Sequence, residues 1–182
     1  MTHESAGAAD DDLVARWFEA AREGDDVAMT ALVRSTQASV WRICRALGSG
    51  DDVEDLVQET YIRAMRSMVT YRGDAPVRAW LMSVARHVCA DDVRRRTRRR
   101  RLIDRLTAQL EEATVDPPDL TTEDLAGRLG HDRREALLLT QQVGLSYEEA
   151  AQVLGCPIGT VRPRVARARI DLQAMSRRAD AI

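Results

Sequence analysis

The chain has 182 residues, a formal net charge of −2 and a composition that is 45% hydrophobic, 31% charged and only 4% aromatic; this suits one ordinary domain or two small ones, and so few aromatic residues argue against a β-sandwich. Cys44, Cys89 and Cys156 are scattered, as are His3, His87 and His131, which argues against a disulfide framework or a metal site and predicts reduced, mostly buried thiols, a cytoplasmic location and no cofactor. No apolar run approaches the ~18 residues of a membrane span and the N-terminus is acidic and polar, which argues against membrane insertion and a secretory leader.

Residues 1–12 (MTHESAGAADDD) read as a disordered acidic tail. Leu13, Val14, Trp17, Phe18 and Ala21 then mark a first helix. Met29, Leu32, Val33, Val40, Ile43, Cys44 and Leu47 mark a second, ended by Gly48-Ser49-Gly50. A third spans about Asp51 to Met68 with Val53, Leu56, Val57, Thr60, Tyr61, Ala64 and Met68 inward, and its acidic first turn suits the positive end of the helix dipole. After the loop TYRGD a long fourth helix opens near Pro76, with Val77, Trp80, Leu81, Val84, Ala85, Val88 and Cys89 at helical spacing. It ends in RRRTRRRR, Arg94 to Arg101. Every basic residue is Arg; residues 81–105 hold nine Arg against three acids, and residues 106–126 hold six acids and no base. Such segregation suggests two kinds of partner surface. Pro117-Pro118 forbids a helix, so residues 102–122 read as a solvated acidic linker, with helical extension through Leu102, Leu106 and Leu110 at its start. The expectation is an all-α chain of two small domains, 13–101 and 123–176, with a tail at 177–182.

The segment LSYEEAAQVLGCPIGTVRPRVARAR, Leu145 to Arg169, is the most informative. Ser146 and Glu149 have capping-box spacing, Gly155 offers the turn a permissive backbone and Pro157 suits the opening of the next helix. That is the layout of a helix-turn-helix whose second helix enters a DNA major groove. At ~100° per residue, Ile158, Val161, Val165, Ala168 and Leu172 share a buried face, while Thr160, Pro163 and Arg167 point toward the groove and Arg162, Arg164 and Arg169 flank them. Pro163 falls in the helix interior, where it removes a backbone hydrogen bond.

Taken together, DDVEDLVQETYIRAM, YRGDAPVRAWLMSVARHVCADDVRRR and REALLLTQQVGLSYEEAAQVLGCPIGTVRPRVARAR resemble the extracytoplasmic-function sigma factors, the minimal two-domain sigma factors of bacterial RNA polymerase. The resemblance covers nearly all of the chain apart from tails and linker. It implies a non-enzymatic initiation subunit that binds core polymerase, recognises a two-element promoter and helps melt the DNA. Asp55, Gln58, Glu59 and Arg63, left outward on the third helix, correspond by this resemblance to the face that meets a coiled-coil of the polymerase's largest subunit. Tyr71, Arg72, Arg78, Arg86, Arg94, Arg95 and Arg96 correspond to the reader of the minus-ten element. Thr160, Arg162, Pro163, Arg164, Arg167 and Arg169 correspond to the reader of the minus-thirty-five element, and Leu137, Leu138 and Leu139 lie where relatives dock on the polymerase flap. Relatives are often held by an anti-sigma factor, so a cognate inhibitor is a further expected partner.

His87 and Pro163 stand where relatives mostly carry Asn and Ser. Trp80 shares a register with Leu81 and Val84, which favours core packing over base stacking. A stand-alone dimeric helix-turn-helix regulator leaves the first domain unexplained. A nuclease built on the acidic third helix has its carboxylates at a helix start rather than around a pocket.

Overall fold

The structure, a computed structural model, describes residues 3–48, 52–107 and 129–179. The described elements are α1 (His3–Arg22), α2 (Asp26–Leu47), α3 (Val53–Ser67) followed by a 3-10 turn at Met68–Thr70, α4 (Val77–Thr107), α5 (His131–Leu137) leading into a π-helical turn at Leu138–Gln142, α6 (Tyr147–Leu154) and α7 (Ile158–Ala179). Three boundaries differ from expectation. The stretch expected as a disordered tail is helical from His3, as its alanines favour. α4 passes 101 and reaches Thr107, since nothing in Leu102, Ile103 and Leu106 breaks a helix. α7 passes 176 and ends at Ala179. Pro117-Pro118, Leu110 and Leu125 lie outside the described residues.

Local chemistry sets the helix ends. Asp25 Oδ1 accepts from the N–H groups of Val27 and Ala28 at 2.8 and 3.0 Å, capping α2. Gly48 closes α2 for a reason other than backbone freedom. Its φ is −66°, but a Cβ there would lie 2.5 Å from the Cys44 carbonyl oxygen and 2.6 Å from Leu56 Cδ1. α2 and α3 are pinned by a part-buried polar contact in which the Tyr61 hydroxyl meets Thr36 Oγ1 at 2.8 Å. Burial pushes the Tyr61 phenol up to about 12, so it remains a neutral hydrogen-bonding group.

One cluster of buried side chains joins α1, α2 and the start of α4 through Val14, Phe18, Leu32, Met68 and Val77. A second runs from Val40, Ile43, Leu81, Met82 and Val88 into Leu138, Leu139, Val161 and Val165. Fully burying each large apolar side chain contributes roughly 1.5–3 kcal/mol. The second cluster is continuous across the two regions expected as separate domains, so α2 and α4 pack directly on the C-terminal helices. The π-helical turn explains how: Val143 N–H donates to Leu138 O at 3.0 Å, a five-residue span, and this widened turn buries both Leu138 and Leu139 while Leu137 is half-buried. None of the three leucines is exposed, in contrast to the expected docking residue. Cys44 and Cys89 are buried free thiols and Cys156 is half-buried. No helix among the described residues is long and apolar enough to cross a membrane.

Candidate nucleic-acid and polymerase interfaces

On α3 the periodic burial of Leu56, Thr60 and Ala64 leaves Asp55 and Gln58 exposed and Glu59 and Arg63 half-buried on the outer side. Arg63 is held from two directions. Its Nε donates to Glu59 Oε1 at 2.6 Å, and its Nη1 donates to Asp91 Oδ2 on α4, also at 2.6 Å. Asp91 Oδ1 in turn accepts from Arg94 Nη2 at 2.6 Å. The hydrogen bonds from Arg63 and then Arg94 hold the Asp91 carboxyl at about 2, below the usual carboxylate range. A groove of about 560 Å³ between the helices is lined by Asp55, Glu59 and Arg63 on one wall and Asp91, Arg95 and Arg98 on the other. The face expected to meet protein and the helix expected to meet DNA are thus adjoining surfaces.

The residues expected at the minus-ten element occupy three environments. Tyr71 is packing rather than projecting: its ring lies 4.9 Å from Phe18 and 5.3 Å from Trp80, and its hydroxyl donates to the Ala75 carbonyl. Trp80 packs on both clusters, as its register predicted. Arg72 is exposed beside Gly73, whose φ of 78° lets the loop turn. A cavity of about 260 Å³ opens here between Tyr71, Arg72, Asp74, Trp80 and Ser83, and Gln152 of α6 forms its far wall.

Arg78 and Arg86 point into the interface with the C-terminal helices. Arg78 Nη2 donates to the Val143 carbonyl at 2.8 Å, with Asp11 of α1 3.7 Å from its Nη1. Burial pushes the Asp11 carboxyl up, partly offset by Arg78. Arg86 makes a two-pronged contact with Glu135, Nε to Oε1 at 2.8 Å and Nη2 to Oε2 at 3.2 Å. The Glu135 side chain is 4% exposed, so this pair is largely removed from water.

The third group is Arg94, Arg95 and Arg96, which lie on the exposed side of α4 but are paired within the chain. Arg95 Nη2 donates to Asp92 at 2.9 Å, and Arg96 Nη2 donates to Asp52 at 2.6 Å. The block is therefore less positive toward a partner than its arginine count implies. Arg98, Arg99, Arg100 and Arg101 continue the exposed face. His87 is exposed, with Ser83 Oγ 3.5 Å from its Nδ1.

The helix-turn-helix forms as its sequence dictates. Glu149 N–H donates to Ser146 Oγ at 3.1 Å and Ser146 N–H donates to Glu149 Oε2 at 2.7 Å. Gly155 takes the left-handed conformation at φ 62°. Val161, Val165 and Ala168 are buried, Ile158 and Leu172 are half-buried, and Arg162, Pro163, Arg167 and Arg169 are exposed. Thr160 is half-buried, its N–H donating to Pro157 O at 2.8 Å. The Arg162 guanidinium sits 5.6 Å from the Tyr147 ring centroid. Arg164 turns back to Asp132 and Arg169 to Gln141, which leaves Arg162 and Arg167 as the exposed arginines of this set without a hydrogen-bond or ion-pair partner among the described residues.

Sequence reasoning missed Asp52, Asp91, Asp92 and Glu135. The i,i+3 spacing of Asp91–Arg94 and Asp92–Arg95 was a usable signal; nothing local indicated Arg63–Asp91 or Arg86–Glu135.

Comparison with known proteins fits this arrangement. Residues 32–99 match the Sigma-70 region 2 family and residues 119–172 the Sigma-70 region 4 family. The ECF RNA polymerase sigma factor SigC of Mycobacterium tuberculosis is 41% identical, over 93% of this chain and 95% of that protein. The ECF RNA polymerase sigma-E factor of Escherichia coli is 32% identical, over 83% and 87%. Among solved structures, the sigma factor RpoE of Bartonella quintana, in complex with the anti-sigma factor NepR, superposes with a TM-score of 0.69 at 28% identity, over 82% of this chain and 96% of that one. CnrH, in complex with the cytosolic domain of CnrY, superposes with a TM-score of 0.67 at 30% identity, over 92% and 96%.

Proposed function

The chain belongs to the extracytoplasmic-function sigma factors, and we propose a division of labour among its surfaces. It is an RNA polymerase sigma factor that binds core polymerase and directs transcription initiation at a two-element promoter. The outer side of α3, with Asp55, Gln58, Glu59 and Arg63, meets the coiled-coil of the largest subunit. The loop at Tyr71 and Arg72 and the exposed arginines of α4 engage the minus-ten element. There the basic track neutralises phosphates, and the loop surface around Arg72, Trp80 and Ser83, opened once Gln152 of α6 withdraws, takes an unstacked base, so that binding favours melted DNA. α7 engages the minus-thirty-five element through Thr160, Arg162, Pro163 and Arg167, with Arg164 and Arg169 at the groove edge. The observation that carries this reading is the α6–α7 geometry, in which the buried stripe at Val161, Val165 and Ala168 presents the opposite, arginine-bearing face to solvent. No substrate is turned over; the subunit is released after initiation.

Arg78 and Arg86 are engaged by Val143 and Glu135 while the two regions pack together, so reading both promoter elements at once requires that packing to part. The flap contact expected of Leu137–Leu139 has the same requirement, since Leu138 and Leu139 are buried. The anti-sigma factor bound to the Bartonella relative supports the expectation of a cognate inhibitor for this chain. Run-off transcription with purified core polymerase tests the function. Promoter-specific transcripts are expected when this protein is added, and core alone that is equally promoter-specific would refute it.

A further inference from the structure

Asp91 faces two partners of opposite purpose. One carboxylate oxygen holds Arg63, at the edge of the α3 docking face; the other holds Arg94, in the arginine block of α4. With Glu59 fixing Nε and Asp91 fixing Nη1, the Arg63 guanidinium is clamped in one orientation, and its Nη2 makes no hydrogen bond to a described residue. We propose that Asp91 is a positioning residue shared by the two interfaces, aiming Arg63 at the polymerase and restraining Arg94 from DNA phosphate. The inference rests on the surface assignments above.

The coupling has a definite sign. A carboxylate divided between two guanidinium groups attracts each less than it would alone. When a phosphate takes Arg94, Asp91 is left to Arg63 and holds it more firmly. Promoter contact thereby favours the docking geometry, and docking favours promoter contact by the same factor. The side chains of Arg63, Asp91 and Arg94 are 40%, 47% and 61% exposed, so the pairs exchange readily and each changes affinity only about two- to four-fold.

The test uses the full chain and Asp91→Asn. Affinity for core polymerase is measured without DNA, and promoter binding by the holoenzyme is measured over a range of salt concentrations. Asp91→Asn is expected to weaken core binding about two- to four-fold and, by removing the carboxylate that competes with phosphate for Arg94, to tighten promoter binding by the holoenzyme about two- to four-fold at low salt, the gain shrinking as salt rises. Asp91→Glu is expected to restore core affinity. Glu19→Gln, an equal charge change on α1, is expected to leave both unchanged. Asp91→Asn that alters neither quantity overturns the proposal, as does weakening of both bindings together with a lowered melting temperature, which marks a merely structural role. A parent protein that fails to bind core polymerase overturns the functional reading itself.

Discussion

Replacing Pro163 by Ser is expected to stabilise the protein and to change the minus-thirty-five sequence it prefers. In a helix beginning at Ile158, the N–H groups of the first four residues have no carbonyl partner within the helix. Pro163 therefore removes the second intrahelical hydrogen bond, the one to Gly159 O, and its ring crowds that carbonyl. In an ideal helix interior the penalty is about 3 kcal/mol. The structure reduces it: α7 stays continuous to Ala179 and Pro163 is exposed, so no neighbour wedges the ring. Gly159 has open space around it and the least restricted backbone of any residue type, so it absorbs much of the adjustment. The expected gain is about 1 kcal/mol, or ~2–4 °C in Tm for a chain of this size. The preference shifts because the apolar ring, suited to a thymine methyl, is replaced by a hydroxyl that donates and accepts. Thermal melting and selection from a randomised promoter, on both versions, measure the two effects. An unchanged or lower midpoint together with an unchanged preferred sequence would refute the reasoning.

The triple substitution of Asp55, Gln58 and Glu59 by Ala is expected to weaken core polymerase binding while costing about 0.5 kcal/mol or less per site in stability, because all three lie outside the buried clusters; affinity and melting measured side by side check it. Glu135→Gln removes one charge-assisted hydrogen bond to Arg86, worth about 2 kcal/mol, and is expected to loosen the packing of α4 on the C-terminal helices roughly 30-fold. Faster amide exchange at Leu138–Val143 and a larger radius of gyration in scattering are the readouts. Asp91 is expected to stay ionised on acidification until about pH 2. Since its folded value is depressed, its ion pairs contribute fully above the ordinary 3.8 and are lost as pH falls through about 2. A carboxyl NMR titration with a midpoint near 3.8 would contradict the two-arginine bridge.

The helix-turn-helix was legible because its determinants are local. The Ser146–Glu149 box, Gly155 and the i,i+4 stripe of Val161, Val165 and Ala168 all act within a few helical turns, where spacing along the chain fixes spacing in space. The outward side of α3 was legible for the same reason. The sequence pattern also indicated that Trp80 packs inward, but not that Tyr71 joins it through Phe18, a contact between residues far apart in the chain. It marked Arg78 and Arg86 as cations without indicating that Val143 O and Glu135 occupy them, and it showed a strongly basic block without its internal neutralisation by Asp52, Asp91 and Asp92. Sequence by itself determined the helical faces and the chemistry each one carries. Tertiary structure alone decided which charged groups meet, because pairings such as Arg63–Asp91 and Arg86–Glu135 depend on which apolar faces are buried against one another, and no local spacing encodes that choice.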